Sequence, residues 1–213
     1  MQFKISIILL MAVFSMLTFG NGNTCQNNTL NDLRQAIEQI TPESLQPNRL
    51  DDKEYVKNRL DTLSKIEVLM REEQYTQCIT PEFLKIVEDQ NRTAVNELKK
   101  ILEQYLWITI PEFGFKASED AWIIVQHAMH DPEFQHKVLY LMEYCLSKKE
   151  IDPIHYANLY DRITSHYRKF GMKLKYGTQV TYNDKKKEIE LLPYDGTLED
   201  LNERRKKIGL MAR

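Results

Sequence analysis

Apolar side chains recur at intervals of three and four residues along most of the chain, the spacing that places them on one face of an α-helix. In residues 53–74 this stripe is formed by Val56, Leu60, Leu63 and Met70. The same spacing predicts further helices over residues 30–40, 81–107, 118–130, 132–148 and 153–169. The chain has only seven glycines, which favours long helices over a turn-rich β architecture.

Capping side chains mark the positions where several of these helices begin. Thr80, Asp131 and Asp152 each precede a proline, so the cap accepts a free backbone N–H at a position where proline lacks one. Ser118 and Thr197 are predicted to start two more helices, because acidic residues follow each of them near the positive helix end.

One segment changes from helical to alternating periodicity. Residues 175–194 read KYGTQVTYNDKKKEIELLPY, with Thr, Val and Tyr before the sequence Asn-Asp-Lys and Ile and Leu after it. Alternation around such a turn predicts a β-hairpin near residues 175–192. A C-terminal helix follows over about residues 197–208 and ends at Gly209. The predicted fold is mainly α, a multi-helix domain with one late β-hairpin and a C-terminal helix.

The first 24 residues differ from the rest of the chain. Lys4 precedes an apolar run, residues 5–19, that only two serines and one threonine interrupt, and the small, polar segment GNGNT follows. This layout predicts a secretory signal peptide over residues 1–24, because the run is short for a membrane span. A retained N-terminal anchor and a lipid-modified Cys25 remain as alternatives. We therefore expect an exported protein, periplasmic or secreted, with no stable membrane span after removal of the signal.

The cysteine content allows one disulfide. The chain has three cysteines, Cys25, Cys78 and Cys145, and an exported protein meets an oxidising compartment. A Cys25–Cys78 pair is favoured, because Cys145 lies among apolar residues where a buried thiol is expected. No CxxC pair is present, so a zinc or redox motif is not supported, and no metal or cofactor is predicted.

Composition narrows the classes of partner. A formal net charge of −2 gives no electrostatic reason to expect nucleic acid or an anionic membrane as a partner. Hydrophobic residues make up 42% and charged residues 28% of the chain, which is typical of a soluble globular protein. The expected partner is therefore a small molecule or a component of the cell envelope.

The stretch VQHAMHDPEFQ concentrates polar side chains between two predicted helices. At about 100° per residue, His127 lies on an apolar face, with Asp131 one turn later. A buried imidazole needs hydrogen-bond partners, so His127 is either a core histidine or a general acid/base oriented by Asp131 or Asp161. Gln126 lies on a neighbouring stripe, and Gln135 is assigned to the capping-box position of the following helix. His127 and Asp131 alone are too few ligands for a metal site.

Five short polar motifs follow one another along the chain. They are Gln126-His127-Ala128, Asp131-Pro132 with Phe134-Gln135, Asp161-Arg162, Tyr176-Gly177-Thr178-Gln179, and Arg204-Arg205 with Gly209-Leu210. The series QHA…DPxFQ…DR…YGTQ…RRxxGL resembles a family of bacterial proteins, many of them exported or lipid-anchored, that is known only as a domain of unknown function. The resemblance covers about residues 68–213, and it leaves residues 25–67 as an N-terminal helical segment with a linker near Pro42–Pro47.

The resemblance implies a shared site but names no reaction. It implies that the motif side chains converge in space: Gln126, His127, Gln135, Asp161, Arg162, Tyr176, Gln179 and an arginine at position 204 or 205. Whether the site is catalytic is left open by the residue types, because Gln, Arg and Tyr form good hydrogen bonds but rarely start covalent chemistry.

Three functions are consistent with this polar set. The first is binding of a polar or anionic ligand or partner in the cell envelope, through Gln126, Gln135, Arg162, Tyr176, Gln179 and Arg205. The second is an envelope hydrolase or transferase with His127 as general acid/base and Asp131 or Asp161 as its orienting acid, in which water attacks because no Ser or Cys nucleophile is apparent. The third is a purely structural polar network that fixes one packing arrangement. We expect the first, with the other two as alternatives.

Overall fold

A computed structural model of the protein describes residues 27–40, 44–72, 80–167, 170–183 and 186–213. Those residues form eight α-helices, one 3₁₀ helix and one two-stranded antiparallel sheet. The helices are α1 Asn27–Ile40, the 3₁₀ helix Pro47–Arg49, α2 Lys53–Leu69, α3 Pro81–Gln104, α4 Ile110–Phe113, α5 Phe115–Gln126, α6 Pro132–Ser147, α7 Pro153–His166 and α8 Leu198–Lys207. The strands are β1 Val180–Asn183 and β2 Glu188–Leu191. The predicted fold, mainly α with a late hairpin and a C-terminal helix, is confirmed.

Residue contacts divide the chain after Asp152 into two compact units. The N-terminal unit contains α1 to α6, and the C-terminal unit, residues 153–213, contains α7, the hairpin and α8. The boundary coincides with an Asp-Pro dipeptide, whose proline is suited to the first turn of α7. The sequence-based division between residues 67 and 68 rests on the family resemblance and stays a prediction.

The core of the N-terminal unit forms where α2 packs along α5 and α3 packs against both helices. Leu60 of α2, Leu98 and Ile101 of α3 and Ile124 of α5 are almost completely excluded from solvent. Residues 120–126 of α5 are all buried, so this helix is covered on most of its circumference. Burying an aliphatic side chain of this size stabilises a fold by about 1.5–3 kcal/mol, which explains why these helices form a stable core.

The predicted capping residues begin three of the observed helices. The side chains of Thr80, Asp131 and Thr197 each accept a hydrogen bond from the backbone N–H three residues later. At α8 the carboxylate of Asp200 also accepts from the backbone N–H of Thr197, which completes a capping box. The fourth, α7, begins at Pro153 as its Asp-Pro dipeptide predicts.

One predicted helix start is wrong. The helix assigned to begin at Ser118 begins at Phe115, directly after Gly114. Gly114 has a φ of 86°, a left-handed conformation that favours glycine, and it terminates α4 and precedes α5. Ser118 is therefore a buried residue inside α5, where the acidic residues that follow it no longer mark a helix end.

A second local prediction is wrong at the start of α6. The capping-box position, three residues after Asp131, is occupied by Phe134, and Gln135 lies one residue beyond it. The amide Nε2 of Gln135 instead donates a hydrogen bond to the carbonyl oxygen of Val125 at 2.9 Å. Gln135 thus joins α6 to the last turn of α5, a contact between helices that local spacing does not reveal.

The C-terminal unit is built around the segment 174–178, which leads into the hairpin. The two strands pair antiparallel from Val180 with Leu191 to Asn183 with Glu188. Pairing continues beyond the hairpin as a parallel bridge between Leu174 and Tyr194. The apolar core of the unit includes Leu159, Leu174 and Leu201, all fully excluded from solvent.

Some predictions concern residues outside the described ranges. Residues 1–24, Cys25 and Cys78 all lie there, so the signal peptide and the disulfide stay predictions. Cys145 is a free, buried thiol as predicted, and burial raises its pKa. No helix in the described part of the chain is long and apolar enough to cross a membrane.

Candidate functional site

Asp161, in the third turn of α7, is a fully buried carboxylate. Its Oδ1 accepts hydrogen bonds from the backbone N–H of Lys175 at 2.8 Å and of Tyr176 at 3.1 Å. Its Oδ2 accepts from the backbone N–H and the hydroxyl of Thr178, at 2.8 and 3.0 Å. Both carboxylate oxygens are therefore engaged by donors of a single short segment.

Gly177 gives this segment the shape that directs its N–H groups at Asp161. Its φ is 61°, and a Cβ at this position would lie only 3.1 Å from Cδ2 of Leu201. Turns that point successive N–H groups at one place form anion-binding concavities. In this protein the anion is the chain's own carboxylate, so the concavity is already filled.

Two arginines of α8 engage the carbonyl groups of the same region. Arg204 donates from Nε to the carbonyl oxygen of Lys175 at 2.8 Å and from Nη2 to that of Asp195 at 2.5 Å. Arg205 donates from Nη1 to the carbonyl oxygen of Tyr176 and from Nε to that of Met211, both at 2.8 Å. The arginine pair of the RRxxGL motif thus binds backbone, and both of its members take part.

We refer to Asp161, Arg204, Arg205 and the segment 174–178 as the backbone clamp. Side chains of α7 and α8 satisfy the N–H and C=O groups of a segment that has no regular secondary structure. A buried backbone group without a partner costs about 1–3 kcal/mol, so the clamp accounts for how this segment can be buried. Three of the residues that the sequence grouped, Asp161, Tyr176 and Arg205, are brought together in it.

Burial perturbs the charged members of the backbone clamp. Burial raises the pKa of Asp161, while the backbone N–H groups of Thr178, Tyr176 and Lys175 act in the opposite direction. Burial also lowers the pKa of Arg205, against the effect of the Asp161 charge, which raises it. The carboxylate is therefore held by neutral N–H donors and lies within the electrostatic influence of one buried guanidinium.

Tyr176 belongs to an aromatic cluster at the surface of α7. Its ring packs edge-on against Tyr156 and Tyr160, with centroids 5.9 and 5.5 Å away. The ammonium of Lys175 lies 4.8 Å from the ring centroid of Tyr160 and 5.3 Å from that of Tyr176. The cluster buries the tyrosine and at the same time fixes the position of a neighbouring cation.

The other two predicted residues of the C-terminal unit lie beside the backbone clamp. The amide Nε2 of Gln179 is 3.4 Å from the carbonyl oxygen of Asn158 and 3.4 Å from the hydroxyl of Thr178. Arg162 is buried on α7, and together with burial its charge lowers the pKa of His166. Gln179 therefore connects α7 with the segment that leads into the hairpin.

The remaining predicted residues lie in the N-terminal unit. Gln126 and His127 are buried at the end of α5, where His127 is the C-cap. Asp131 accepts from the Phe134 backbone N–H at 3.0 Å and from the Lys99 ammonium at 2.5 Å, and the bond to Lys99 lowers its pKa. Convergence of these residues with the C-terminal set, and the roles proposed for His127 and Asp131, stay predictions.

A cleft of about 470 Å³ opens in the C-terminal unit next to the backbone clamp. Its lining is formed by Tyr160, Thr164, Gly171, Met172, Lys173, Lys175, Asp195 and Arg204. Three of these side chains are cations and one is a carboxylate, so the lining carries an excess of positive charge. Sequence reasoning missed most of this set, although Lys173 and Lys175 alternate around the buried Leu174, as side chains of an extended segment do.

A second cavity, of about 500 Å³, lies in the N-terminal unit between α3 and α6. It is lined by Leu102, Leu106, Phe134, Val138 and Leu141 with Lys99, Glu103, Asp131, Glu133 and Lys137. Its lining carries cations and carboxylates in similar numbers, and Asp131 is the one predicted site residue in it. This cavity therefore lacks the charge excess of the C-terminal cleft.

Comparison with known proteins gives a family and no activity. The search of curated proteins and the search of solved structures found no match. No cluster of three or more metal-ligating side chains occurs among the described residues. The family described as "Family of unknown function (DUF6624)" matches residues 77–211, which include α3 to α8 and every residue of the backbone clamp. The chain belongs to this family of unknown function.

Proposed function

We propose that the protein is an exported binding module whose C-terminal unit takes up a polar, anionic ligand in the cleft beside the backbone clamp. The observation that carries this proposal is the presence of three cations around one cavity whose lining contains a single carboxylate, Asp195. Clefts of about 300–1,000 Å³ are typical of small-molecule sites, and the volume of this cleft falls in that range.

The lack of ion pairs distinguishes these cations from many surface lysines. Among the described residues no carboxylate forms an ion pair with Lys173, Lys175 or Arg204, although the charge of Arg204 contributes to lowering the pKa of Asp200. Lys186, in the same unit, instead pairs with Glu190 at 2.6 Å. Cations that share a concave surface repel one another, so an anion that binds among them gains more than it would from a single exposed lysine.

The backbone clamp supports binding by fixing the walls of the cleft. Lys175 and Asp195 line the cleft, and the backbone of both is bonded to the clamp through Arg204. A site whose walls are already ordered loses less conformational entropy when a ligand binds. The structural network and the binding function are compatible, because motif residues of the backbone clamp hold the walls of the cleft in place. Most of the residues that line the cleft lie outside the five motifs.

Export is the part of the proposal that rests on sequence alone. It is supported by the apolar run of residues 5–19 between Lys4 and a small, polar segment. The test is N-terminal sequencing of the protein recovered from the medium or the cell envelope after expression of the full chain. A new N-terminus near residue 25 is expected, and an uncleaved chain in the cytosol contradicts export.

The binding proposal is tested by thermal unfolding in the presence of a panel of anionic envelope metabolites and glycans. A ligand that prefers the native state raises the melting temperature, and the increase grows with the logarithm of the ligand concentration above the Kd. We expect stabilisation by one or more anions, loss of this stabilisation in Lys175→Met, and weakening at high salt. Lys186→Met is the matched control, because it removes a lysine of the same unit that is paired and lies outside the cleft.

The outcomes separate the candidate functions. Stabilisation that survives Lys175→Met but disappears in Lys186→Met places the ligand elsewhere and contradicts the proposal. Turnover of a stabilising ligand, lost in His127→Ala without loss of stability, favours the hydrolase or transferase alternative. No stabilisation by any anion, with Lys175→Met as stable as the parent protein, leaves the structural network as the function of the five motifs.

A further inference from the structure

We propose that the ligand of the cleft carries a tetrahedral oxyanion, a phosphate or sulfate ester, attached to an apolar group. This inference rests on the proposed function and narrows it to one chemical class. It follows from which nitrogen atoms around the cleft remain open to a ligand and from the apolar surface beside them.

Arg204 meets the cleft with only part of its guanidinium. A guanidinium has five N–H donors, and two of those of Arg204 are occupied. Its Nε and Nη2 donate to the carbonyl oxygens of Lys175 and Asp195. The N–H groups of Nη1 take part in neither bond, so they remain as donors for a ligand oxygen.

The two lysines also act as separate point charges. Lys173 and Lys175 flank the buried Leu174, and the ammonium of Lys175 is positioned by two tyrosine rings. A tetrahedral oxyanion directs three or four oxygen atoms in different directions, so it can meet several separate cations at once. A planar carboxylate has two oxygens in one plane and meets fewer of them.

The cleft also has an apolar part, which an inorganic ion would leave uncovered. Met172 lines the cleft and is 52% exposed, and Tyr160 forms part of the wall. A cleft of about 470 Å³ accommodates an ester with an apolar group of substantial size.

The test compares phenyl phosphate, phenyl sulfate, benzoate and inorganic phosphate by isothermal titration calorimetry on the purified full chain. We expect one or both esters to bind at least tenfold more tightly than benzoate and than inorganic phosphate. Lys175→Met and Lys173→Met are each expected to weaken ester binding by roughly tenfold, since a charge-assisted contact is stronger than a neutral one. Lys186→Met is expected to have no effect.

A second variant tests the apolar part without altering the charges. Met172→Ser is expected to weaken phenyl ester binding severalfold and to leave the affinity for inorganic phosphate unchanged. Binding of phenyl phosphate alone identifies phosphate as the source of the oxyanion, binding of phenyl sulfate alone identifies sulfate, and either result supports the inference.

The two proposals fail in different ways. Binding of benzoate as tightly as the esters, with the same dependence on Lys175, overturns the tetrahedral oxyanion but keeps the anionic-ligand function. Ester binding that neither lysine variant changes overturns the assignment to this cleft. If none of the four probes binds and the anion panel produces no stabilisation, the proposed function fails along with this inference.

Discussion

Replacement of Asp161 by asparagine tests the backbone clamp with minimal change in side-chain volume. The substitution turns one carboxylate oxygen into an NH₂ group, which is a donor and no longer an acceptor. Each oxygen of Asp161 receives hydrogen bonds from at least two donors of the segment 174–178. Depending on how the amide is oriented, one or two backbone N–H groups therefore face a donor, because the Thr178 hydroxyl can turn and accept instead.

The expected loss of stability follows from these contacts. A buried donor left without an acceptor costs about 1–3 kcal/mol, so one or two such donors cost about 1–6 kcal/mol. Burial raises the pKa of Asp161, which means that the charged carboxylate is itself destabilised by its surroundings. The neutral amide avoids that penalty, so we expect a loss in the lower part of the range, about 1–3 kcal/mol.

Two measurements check this prediction. Chemical denaturation followed by circular dichroism gives the change in the free energy of unfolding. Amide hydrogen exchange locates the change, because the N–H groups of Lys175, Tyr176 and Thr178 are expected to exchange faster in Asp161→Asn than in the parent. Glu203→Gln is the control, since it alters an exposed carboxylate of the same unit outside the backbone clamp.

Two results would refute the reasoning. One is a loss of stability below about 0.5 kcal/mol, which is the usual effect of a surface substitution. The other is a large loss with unchanged protection of the three N–H groups. In the second case Asp161 matters for stability, but not because it holds the segment 174–178.

Three further substitutions address other parts of the fold. Gly177→Ala places a Cβ against an apolar side chain at a residue with a φ of 61°. Denaturant unfolding is expected to show a loss of about 2–4 kcal/mol in the free energy of unfolding. An unchanged unfolding midpoint would contradict the tight packing. Glu97→Gln breaks the buried two-point ion pair with Arg59, whose hydrogen bonds are 2.6 and 2.7 Å long. It is expected to lower the free energy of unfolding by about 3–5 kcal/mol, because it leaves the Arg59 charge buried without its partner. The double variant with Arg59→Met is expected to regain part of this loss. Equal stability of the single and double variants argues against an uncompensated buried charge. Lys99→Met removes the hydrogen bond that is the main cause of the lowered pKa of Asp131. A lowered folded pKa stabilises the protein at pH values above the unfolded pKa of Asp131, and this stabilisation is lost as the pH falls through the folded pKa. Acid unfolding curves of this variant should therefore be less steep below about pH 4, and superimposable curves exclude this contribution.

The sequence was sufficient to predict the helices and the hairpin because local forces determine them. Apolar spacing of three to four residues marked α2 and α3, and the Thr-Pro and Asp-Pro dipeptides marked the starts of α3, α6 and α7. These signals lie within one or two helical turns of the structure they specify. The two local errors have different causes: Gly114 sets the helix start that was assigned to Ser118, and Gln135 lies one residue beyond the capping-box position, where it contacts the carbonyl group of Val125.

The residues of the backbone clamp could be singled out from the sequence, but their partners could not. Asp161 binds N–H groups 14 to 17 residues away, and Arg205 binds a carbonyl group 29 residues away. Backbone groups have the same chemistry at every position, so no side-chain pattern indicates which of them a buried carboxylate will reach.

The sequence by itself thus determined the elements of this protein and the polar residues that need partners. Only the tertiary structure decided that Asp161, Arg204 and Arg205 would bind backbone, and that Lys173, Lys175 and Arg204 would surround one cleft. The physical reason is the range of the interactions: helix periodicity and capping act over a few residues, whereas a group of cations with an excess of positive charge arises only when separate segments pack side by side.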